Sequence, residues 1–109
     1  MANSFTSTKN RVVGSIDSTG ASDAITVSGS KLLDISVDFD TATVFDGTIV
    51  LQRETATGAA NVPEWQDLET YTASAEKVAQ SATTRRYRLN CTVATSGSAE
   101  IELAAGNFS

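Results

Sequence analysis

The most regular pattern in the chain is an alternation of apolar and polar residues over residues 86–93. The apolar positions are Tyr87, Leu89, Cys91 and Val93, and the polar positions between them are Arg86, Arg88, Asn90 and Thr92. A period of two is typical of a strand with one face in the core and one in water. A Thr-Ser-Gly-Ser sequence and the apolar pair Ile101 and Leu103 follow, which predicts a closing β-hairpin.

Shorter segments with the same period predict strands earlier in the chain. The clearest covers residues 33–39, with its apolar face formed by Leu33, Ile35, Val37 and Phe39. Further candidates are residues 11–16, 24–27, 48–54 and 65–72. The dipeptide Asp46-Gly47 suits a turn in front of the most apolar of these segments.

Three segments are less regular. Trp65 and Leu68 differ in parity, so we expect a bulge or an edge position in their strand. Residues 75–80 contain helix formers but are too few to nucleate a helix, and we expect a short strand or a single turn. Residues 1–10 are polar without periodicity, which predicts a flexible arm or a strand that needs a partner.

The spacing of turn signals indicates the fold class. They separate the strand candidates at intervals of roughly 8–12 residues, as in β-sandwiches and small barrels. No long helical pattern interrupts them, which argues against parallel βαβ units. We therefore predict an all-β protein, an antiparallel, jelly-roll-like β-sandwich of about seven to eight strands, with a single domain over residues 11–109.

Composition excludes several classes of function. The 109 residues include no histidine and one cysteine, Cys91, so the usual general base and cysteine-based zinc sites are missing. A formal charge of -5 and few basic residues disfavour nucleic-acid binding. We expect a protein that is not an enzyme, needs no cofactor and does not bind a membrane. The N-terminal residues lack the apolar region of a signal peptide, so synthesis in the cytoplasm is expected.

Four aspartates form the densest acidic group, namely Asp34, Asp38, Asp40 and Asp46. Several carboxylates close together suit a hard cation such as calcium. No spacing resembles a calcium-binding loop, however, and Asp34 and Asp38 lie opposite the apolar side of their strand. We favour a solvated strand face over a cation site.

Glu64, Asp67 and Glu69 flank the single tryptophan, Trp65, as in some glycosidase or sugar-binding sites. A small chain with one tryptophan offers little wall for a cleft, so Trp65 is expected to anchor the core. Cys91 shares the inward parity of Leu89 and is expected to be a small core residue without nucleophilic reactivity.

The outward face of the closing strand is the expected contact surface. Arg86 and Arg88 lack the interleaved aromatic residues of a nucleic-acid surface, so pairing within the sheet or across a subunit interface is favoured. The candidate interface residues are Arg86, Arg88, Asn90, Thr92, Lys9 and Arg11.

The residues over about 44–105 also resemble a known group of proteins. Val50-Leu51-Gln52-Arg53-Glu54, the strand from Trp65 to Tyr71, and Tyr87-Arg88-Leu89-Asn90-Cys91-Thr92 before Thr95-Ser96-Gly97 resemble small virion proteins of tailed bacteriophages. The resemblance implies a capsid decoration (cement) protein on the virion surface. It would bind the major capsid protein and further copies of itself, as a homotrimer, without nucleic acid or membrane partners.

Two alternatives remain open. One is a carbohydrate- or receptor-binding module of a phage tail, with Trp65 and Tyr71 as stacking platforms. The other is a head-tail or tail accessory protein that would assemble into rings.

Overall fold

The computed structural model describes residues 3–27, 31–41, 43–54, 64–80 and 84–106, and these form ten strands. The strands are β1 (Ser4–Ser7), β2 (Arg11–Ile16), β3 (Gly20–Ala21), β4 (Ile25–Val27), β5 (Leu32–Asp38), β6 (Asp46–Glu54), β7 (Trp65–Tyr71), β8 (Ala75–Gln80), β9 (Arg85–Ser96) and β10 (Ala99–Gly106). The structure has ten strands in its described residues, whereas about seven to eight were expected. The difference arises because β1 and β3 are short and have no apolar alternation.

The strands form two antiparallel sheets of five. Sheet A has the order β1-β2-β10-β5-β8, and sheet B has the order β3-β9-β6-β7 with β4 also on β9. The pairings across the chain are nested: β6 with β7, β5 with β8, β3 and β4 with β9, and β2 with β10. A long antiparallel ribbon rolled into two sheets is a jelly roll, so the predicted antiparallel β-sandwich is confirmed.

The core lies between the sheets and is apolar, as the alternation predicts. Its fully buried side chains include Ile16, Leu33, Ile35, Ile49, Leu89 and Leu103. In β5 the burial alternates along the strand, with Asp34 and Asp38 exposed on the outer face of sheet A. Burying each large aliphatic side chain contributes about 1.5–3 kcal/mol, which makes this face of each strand the main source of stability.

The predicted closing hairpin is wrong. β9 belongs to sheet B, where it pairs with β6, while β10 belongs to sheet A, between β2 and β5. The turn between them crosses from one sheet to the other, with Gly97 at φ 74°. A Cβ atom at Gly97 would overlap the carbonyl oxygen of Val44. Turn residues show that the chain reverses, but not that the two strands pair with each other.

The predicted inward position of Val93 is also wrong. Thr48 pairs with Val93 and the next residue of β6, Ile49, pairs with Cys91, so Thr92 is an extra residue in β9. This bulge reverses the parity: Val93 is 48% exposed and Ala94 packs against the core. Tyr87, Leu89 and Cys91 are buried as predicted.

Three local expectations have clear outcomes. Asp46-Gly47 begins β6 and does not form a separate turn. The bulge in the Trp65 strand is confirmed, because the register of β6 and β7 shifts between Leu51 and Gln52, and β7 is an edge strand. Residues 75–80 form the strand β8.

Part of the predicted N-terminal arm is a strand with a partner. Residues Ser4–Ser7 pair antiparallel with β2 and form one edge of sheet A. Of the two interpretations of residues 1–10, a strand that needs a partner applies to these four. Residues 1–2 of the expected arm and 107–109 of the expected domain lie outside the described residues.

Candidate functional site

Carboxylates collect at one end of the sandwich. At this end β2, β5, β7 and β9 finish and lead into β3, β6, β8 and β10. The carboxylates in these four connections, or within two residues of them, are Asp17, Asp38, Asp40, Asp46, Glu76 and Glu100. The adjoining sequence, residues 14–20, 36–48, 70–76 and 93–101, contains no lysine or arginine. We call these six residues the acidic end; its formal charge is -6.

Basic residues collect at the opposite end. There the connections after β1, β4, β6 and β8, with the strand termini beside them, contain Lys9, Arg11, Lys31, Arg53, Arg85 and Arg86. Two carboxylates, Glu54 and Glu64, lie in the same region. Six cations against two anions give a formal charge of +4. We call these eight residues the basic end.

Hydrogen bonds and ring packing fix the backbone of the acidic end. The rings of Phe39 and Phe45 pack edge to face with centroids 5.1 Å apart, and the Phe45 amide donates to the Phe39 carbonyl at 2.9 Å. Thr41 Oγ1 donates to the Ser98 carbonyl at 2.7 Å, and the Ser98 amide donates to the Thr43 carbonyl at 3.1 Å. The β5–β6 connection is thereby joined to the β9–β10 turn.

The acidic end places like charges side by side. Glu100 and Asp38 are direct partners in the pairing of β10 with β5, an arrangement that costs stability on a sheet surface. The Ser74 hydroxyl lies 3.4 Å from carboxylate oxygens of both Asp38 and Asp40, and it accepts a hydrogen bond from the Phe39 amide at 2.8 Å. One hydroxyl offsets only a small part of six negative charges.

The four aspartates weighed as a cation site do not converge as a group. Asp34 lies in register with Ala104, which pairs with Arg11 at the opposite end of sheet A, whereas Asp46 begins β6 in sheet B. Within the described ranges, no group of three or more His, Cys, Asp or Glu side chains has the geometry to hold a metal ion. The exposed positions of Asp34 and Asp38 agree with the favoured interpretation of a solvated face.

Trp65 is not a core anchor, contrary to the prediction. It lies on the outer face of sheet B, half-buried, beside Arg86 and Arg88. Trp65 and Tyr71 have the same parity, so in a regular strand both would point inward. The bulge at Leu68 reverses the parity between them, which leaves Tyr71 in the core and turns Trp65 outward.

A network of polar side chains surrounds the indole ring. The guanidinium carbon of Arg88 lies 4.2 Å from the ring centroid and that of Arg86 lies 5.8 Å away. Arg88 Nε donates to Gln52 Oε1 at 2.8 Å, and Gln52 Nε2 donates to Asp67 Oδ1 at 2.8 Å. We call these five residues the Trp65 cluster.

The contacts in the Trp65 cluster bury Gln52 and partly bury the charged side chain of Arg88. Gln52 is only 7% exposed although it lies on an outer face, because Arg88 and Asp67 cover it. Partial burial, followed by the neighbouring charge of Arg86, lowers the pKa of Arg88. Arg86 Nη1 donates to Glu54 Oε2 at 2.9 Å, which extends the network to the basic end.

The predicted interface residues are partly brought together. Arg86 and Arg88 share the outer face of sheet B with Asn90. The Lys9 carbonyl accepts from the Thr26 amide at 3.1 Å, and Thr26 pairs with Arg86, so Lys9 belongs to the same end.

The remaining two candidates are placed differently. Arg11 is also at the basic end but on the outer face of sheet A, where its Nε lies 2.6 Å from Glu102 Oε2. Thr92 lies at the bulge of β9, farther toward the acidic end. The interface set therefore contains four residues at or beside the basic end, namely Lys9, Arg11, Arg86 and Arg88.

Sequence reasoning missed Gln52 and Asp67 as partners of Arg88. Gln52 lies 36 positions before Arg88, and no local pattern joins them. The register of β6 with β7 and β9 places them side by side. Their only sequence signal is that each interrupts an otherwise apolar or amphipathic strand.

The remaining chemical candidates have different environments. Asp67 belongs to the Trp65 cluster, whereas Glu69 faces Lys77 Nζ at 3.9 Å across the gap between the sheets, so the two carboxylates have different partners. Tyr71 is 4% exposed in the core, which corrects its assignment as a stacking platform. Cys91 is 2% exposed as expected, and burial raises the pKa of its thiol.

Comparisons with known proteins give no assignment: no protein-family model, curated protein or solved structure matches this chain. In the described part of the chain, no helix is long and apolar enough to cross a membrane.

Proposed function

We propose that this chain is a virion structural protein that decorates and stabilises a bacteriophage capsid through protein–protein contacts. The observation that carries the proposal is the separation of charge into a basic end and an acidic end on one jelly-roll sandwich. Such a molecule has two chemically distinct contact surfaces held at a fixed distance. This suits an accessory protein that bridges neighbouring subunits of a lattice.

The Trp65 cluster, on the outer face of sheet B, is the proposed shell-binding surface. Tryptophan and arginine are the residue types that most often dominate the energy of a protein interface. Arg88, Trp65 and Gln52 are already held by mutual contacts, so little side-chain entropy is lost on binding. The proposed partner surface on the major capsid protein is negatively charged.

Many copies on a lattice make weak individual contacts sufficient. Linked contacts multiply, so each protomer needs only modest affinity for the shell. The proposal includes self-association as a homotrimer, a location on the capsid surface, and no enzymatic activity, cofactor, nucleic acid or membrane partner.

The test is binding to undecorated capsids followed by cosedimentation and thermal melting. Wild-type protein is expected to bind saturably and raise the melting temperature of the shells. Replacing Arg86 and Arg88 with glutamine is expected to weaken binding at least tenfold. The matched control is Glu69→Gln with Lys77→Gln, which removes two charges outside both ends and outside the Trp65 cluster and leaves binding unchanged. Failure of the wild-type protein to bind any such shell would overturn the proposal.

A second candidate function is binding of a carbohydrate receptor. It is favoured by the half-buried indole of Trp65 beside the amide of Gln52 and the carboxylate of Asp67, groups that suit sugar rings and hydroxyls. Because Trp65 is the single tryptophan, its fluorescence reports directly on this surface. Glycan binding that changes this emission, and is lost in Trp65→Ala, would favour the receptor function; a blank glycan array would remove it.

A further inference from the structure

The two ends of the molecule are complementary to each other. The acidic end has a formal charge of -6 and the basic end +4, and the remaining residues contribute -3 to the total of -5. The two ends lie at opposite poles of a body that measures 38 × 37 × 21 Å. In every sheet the residues of one end are separated from those of the other by a full strand length.

We propose that the acidic end of one copy of this chain docks on the basic end of a second copy, in a head-to-tail contact. Contact between two acidic ends would bring twelve carboxylates together, and contact between two basic ends would oppose net charges of +4. The head-to-tail arrangement opposes -6 with +4. Charge complementarity therefore selects a second copy as the occupant and excludes a two-fold arrangement of like ends.

The backbone of the acidic end is preorganised for such a contact. The described backbone of the acidic end is held by the Phe39–Phe45 packing and the bonds to Ser98, so it presents its carboxylates from a fixed frame.

A head-to-tail contact is heterologous, because each copy uses two different surfaces. It therefore continues from copy to copy, and it ends only if the rotation between neighbours closes a ring. A ring of three copies joined in this way would form the proposed homotrimer, whereas a rotation that does not close the ring would give short linear chains. This inference concerns contacts between copies and does not depend on shell binding.

The experiment uses two neutralised variants of the full chain. One carries Asp40→Asn, Asp46→Asn and Glu100→Gln at the acidic end; the other carries Lys9→Gln, Lys31→Gln and Arg85→Gln at the basic end. Sedimentation velocity at about 20 mM salt, where the screening length exceeds about 20 Å, measures association over a concentration series. Circular dichroism and thermal melting establish that each variant is folded.

The wild-type protein is expected to associate at low salt and to dissociate at 0.5 M salt, with an apparent Kd that rises at least tenfold. Each variant alone is expected to be monomeric. An equal mixture of the two is expected to form 1:1 dimers and nothing larger, because each variant retains one intact end. This complementation cannot arise from an interface that joins like ends.

The control variant carries Asp23→Asn and Glu69→Gln, two carboxylates outside both ends and outside the Trp65 cluster. It loses two negative charges without changing either end and is expected to associate like the wild-type protein. Three results would overturn the proposal: a wild-type protein that stays monomeric at millimolar concentration, an acidic-end variant that still associates, or a mixture that stays monomeric. The shell-binding test is independent, so failure of one proposal is distinguishable from failure of the other.

Discussion

The acidic end and the basic end differ in how each is built as well as in charge. At the acidic end, two aromatic side chains lie in the core beneath the carboxylates, and turns pack against each other through their backbones. At the basic end, the aromatic side chain nearest the charges, Trp65, lies on the outside among arginine side chains. We infer that aromatic residues stabilise the fold at one end and form a contact surface at the other.

The largest expected effect tests whether the aromatic pair at the acidic end, Phe39 and Phe45, stabilises the core. Phe39 is 3% exposed and packs on Phe45, so Phe39→Ala is expected to lower the free energy of unfolding by about 3–5 kcal/mol. Urea unfolding measures the change. Val44→Ala, in the same connection but 65% exposed, is the control and should cost less than about 0.5 kcal/mol. Equal costs for the two variants would contradict a structural role for the aromatic pair.

A second variant compares one glycine at each end. Gly97 has φ 74°, and an added Cβ would meet the Val44 carbonyl, so Gly97→Ala is expected to cost about 2 kcal/mol. Gly106 terminates β10 at the basic end, and a Cβ there would meet nothing within 4 Å. Gly106→Ala should therefore leave the melting temperature nearly unchanged. A similar loss at both glycines would show that the sheet-crossing turn does not need its left-handed residue.

Alkaline pH should lower the stability of the fold through Tyr71, a buried phenol beside the acidic end. Burial, followed by the neighbouring Glu69 carboxylate, raises the pKa of Tyr71 above its usual value near 10. Because the folded-state pKa is the higher one, the stability linked to this group is complete below about pH 10 and decreases as pH rises above that value. Tyr71→Phe should flatten this decrease. Parallel stability–pH curves for wild type and variant, measured by urea unfolding, would contradict the assignment.

The smallest expected effect concerns the surface aromatic residue of the basic end. Trp65→Ala removes two cation–π contacts of about 0.5–1 kcal/mol each at a half-exposed site, so we expect a total loss of about 1 kcal/mol. Trp65→Phe keeps an aromatic ring and should recover part of it. A loss as large as that of Phe39→Ala would remove the distinction between the two ends, because Trp65 would then stabilise the fold as a core residue does.

The sequence predicted features that depend on neighbouring residues and missed features that depend on contacts between distant parts of the chain. The alternation in β5 identified Leu33, Ile35 and Val37 as core residues, because the period of a strand is a local property. The parity change between Trp65 and Leu68 predicted the bulge of β7 for the same reason. Its consequence, the outward position of Trp65, was missed, because it depends on which face of the strand meets the other sheet.

The candidate site was predictable only in part. Arg86 and Arg88 were identified from their outward parity, and the structure places both beside Trp65. The partners Gln52 and Asp67 come from other strands, and their positions depend on strand register. The separation of the two ends likewise depends on the nested pairing of the strands, which gathers residues from Asp17 to Glu100 at one pole.

By itself, the sequence determined that the protein is all-β, which residues of each regular strand share a face, and that the core is apolar. Only the tertiary structure decided that β9 and β10 belong to different sheets, that Val93 and Trp65 face outward, and that acidic and basic residues lie at opposite ends. The physical reason is that alternation along a strand is encoded by neighbouring residues. Pairing, by contrast, depends on burying apolar faces that are distant in the chain.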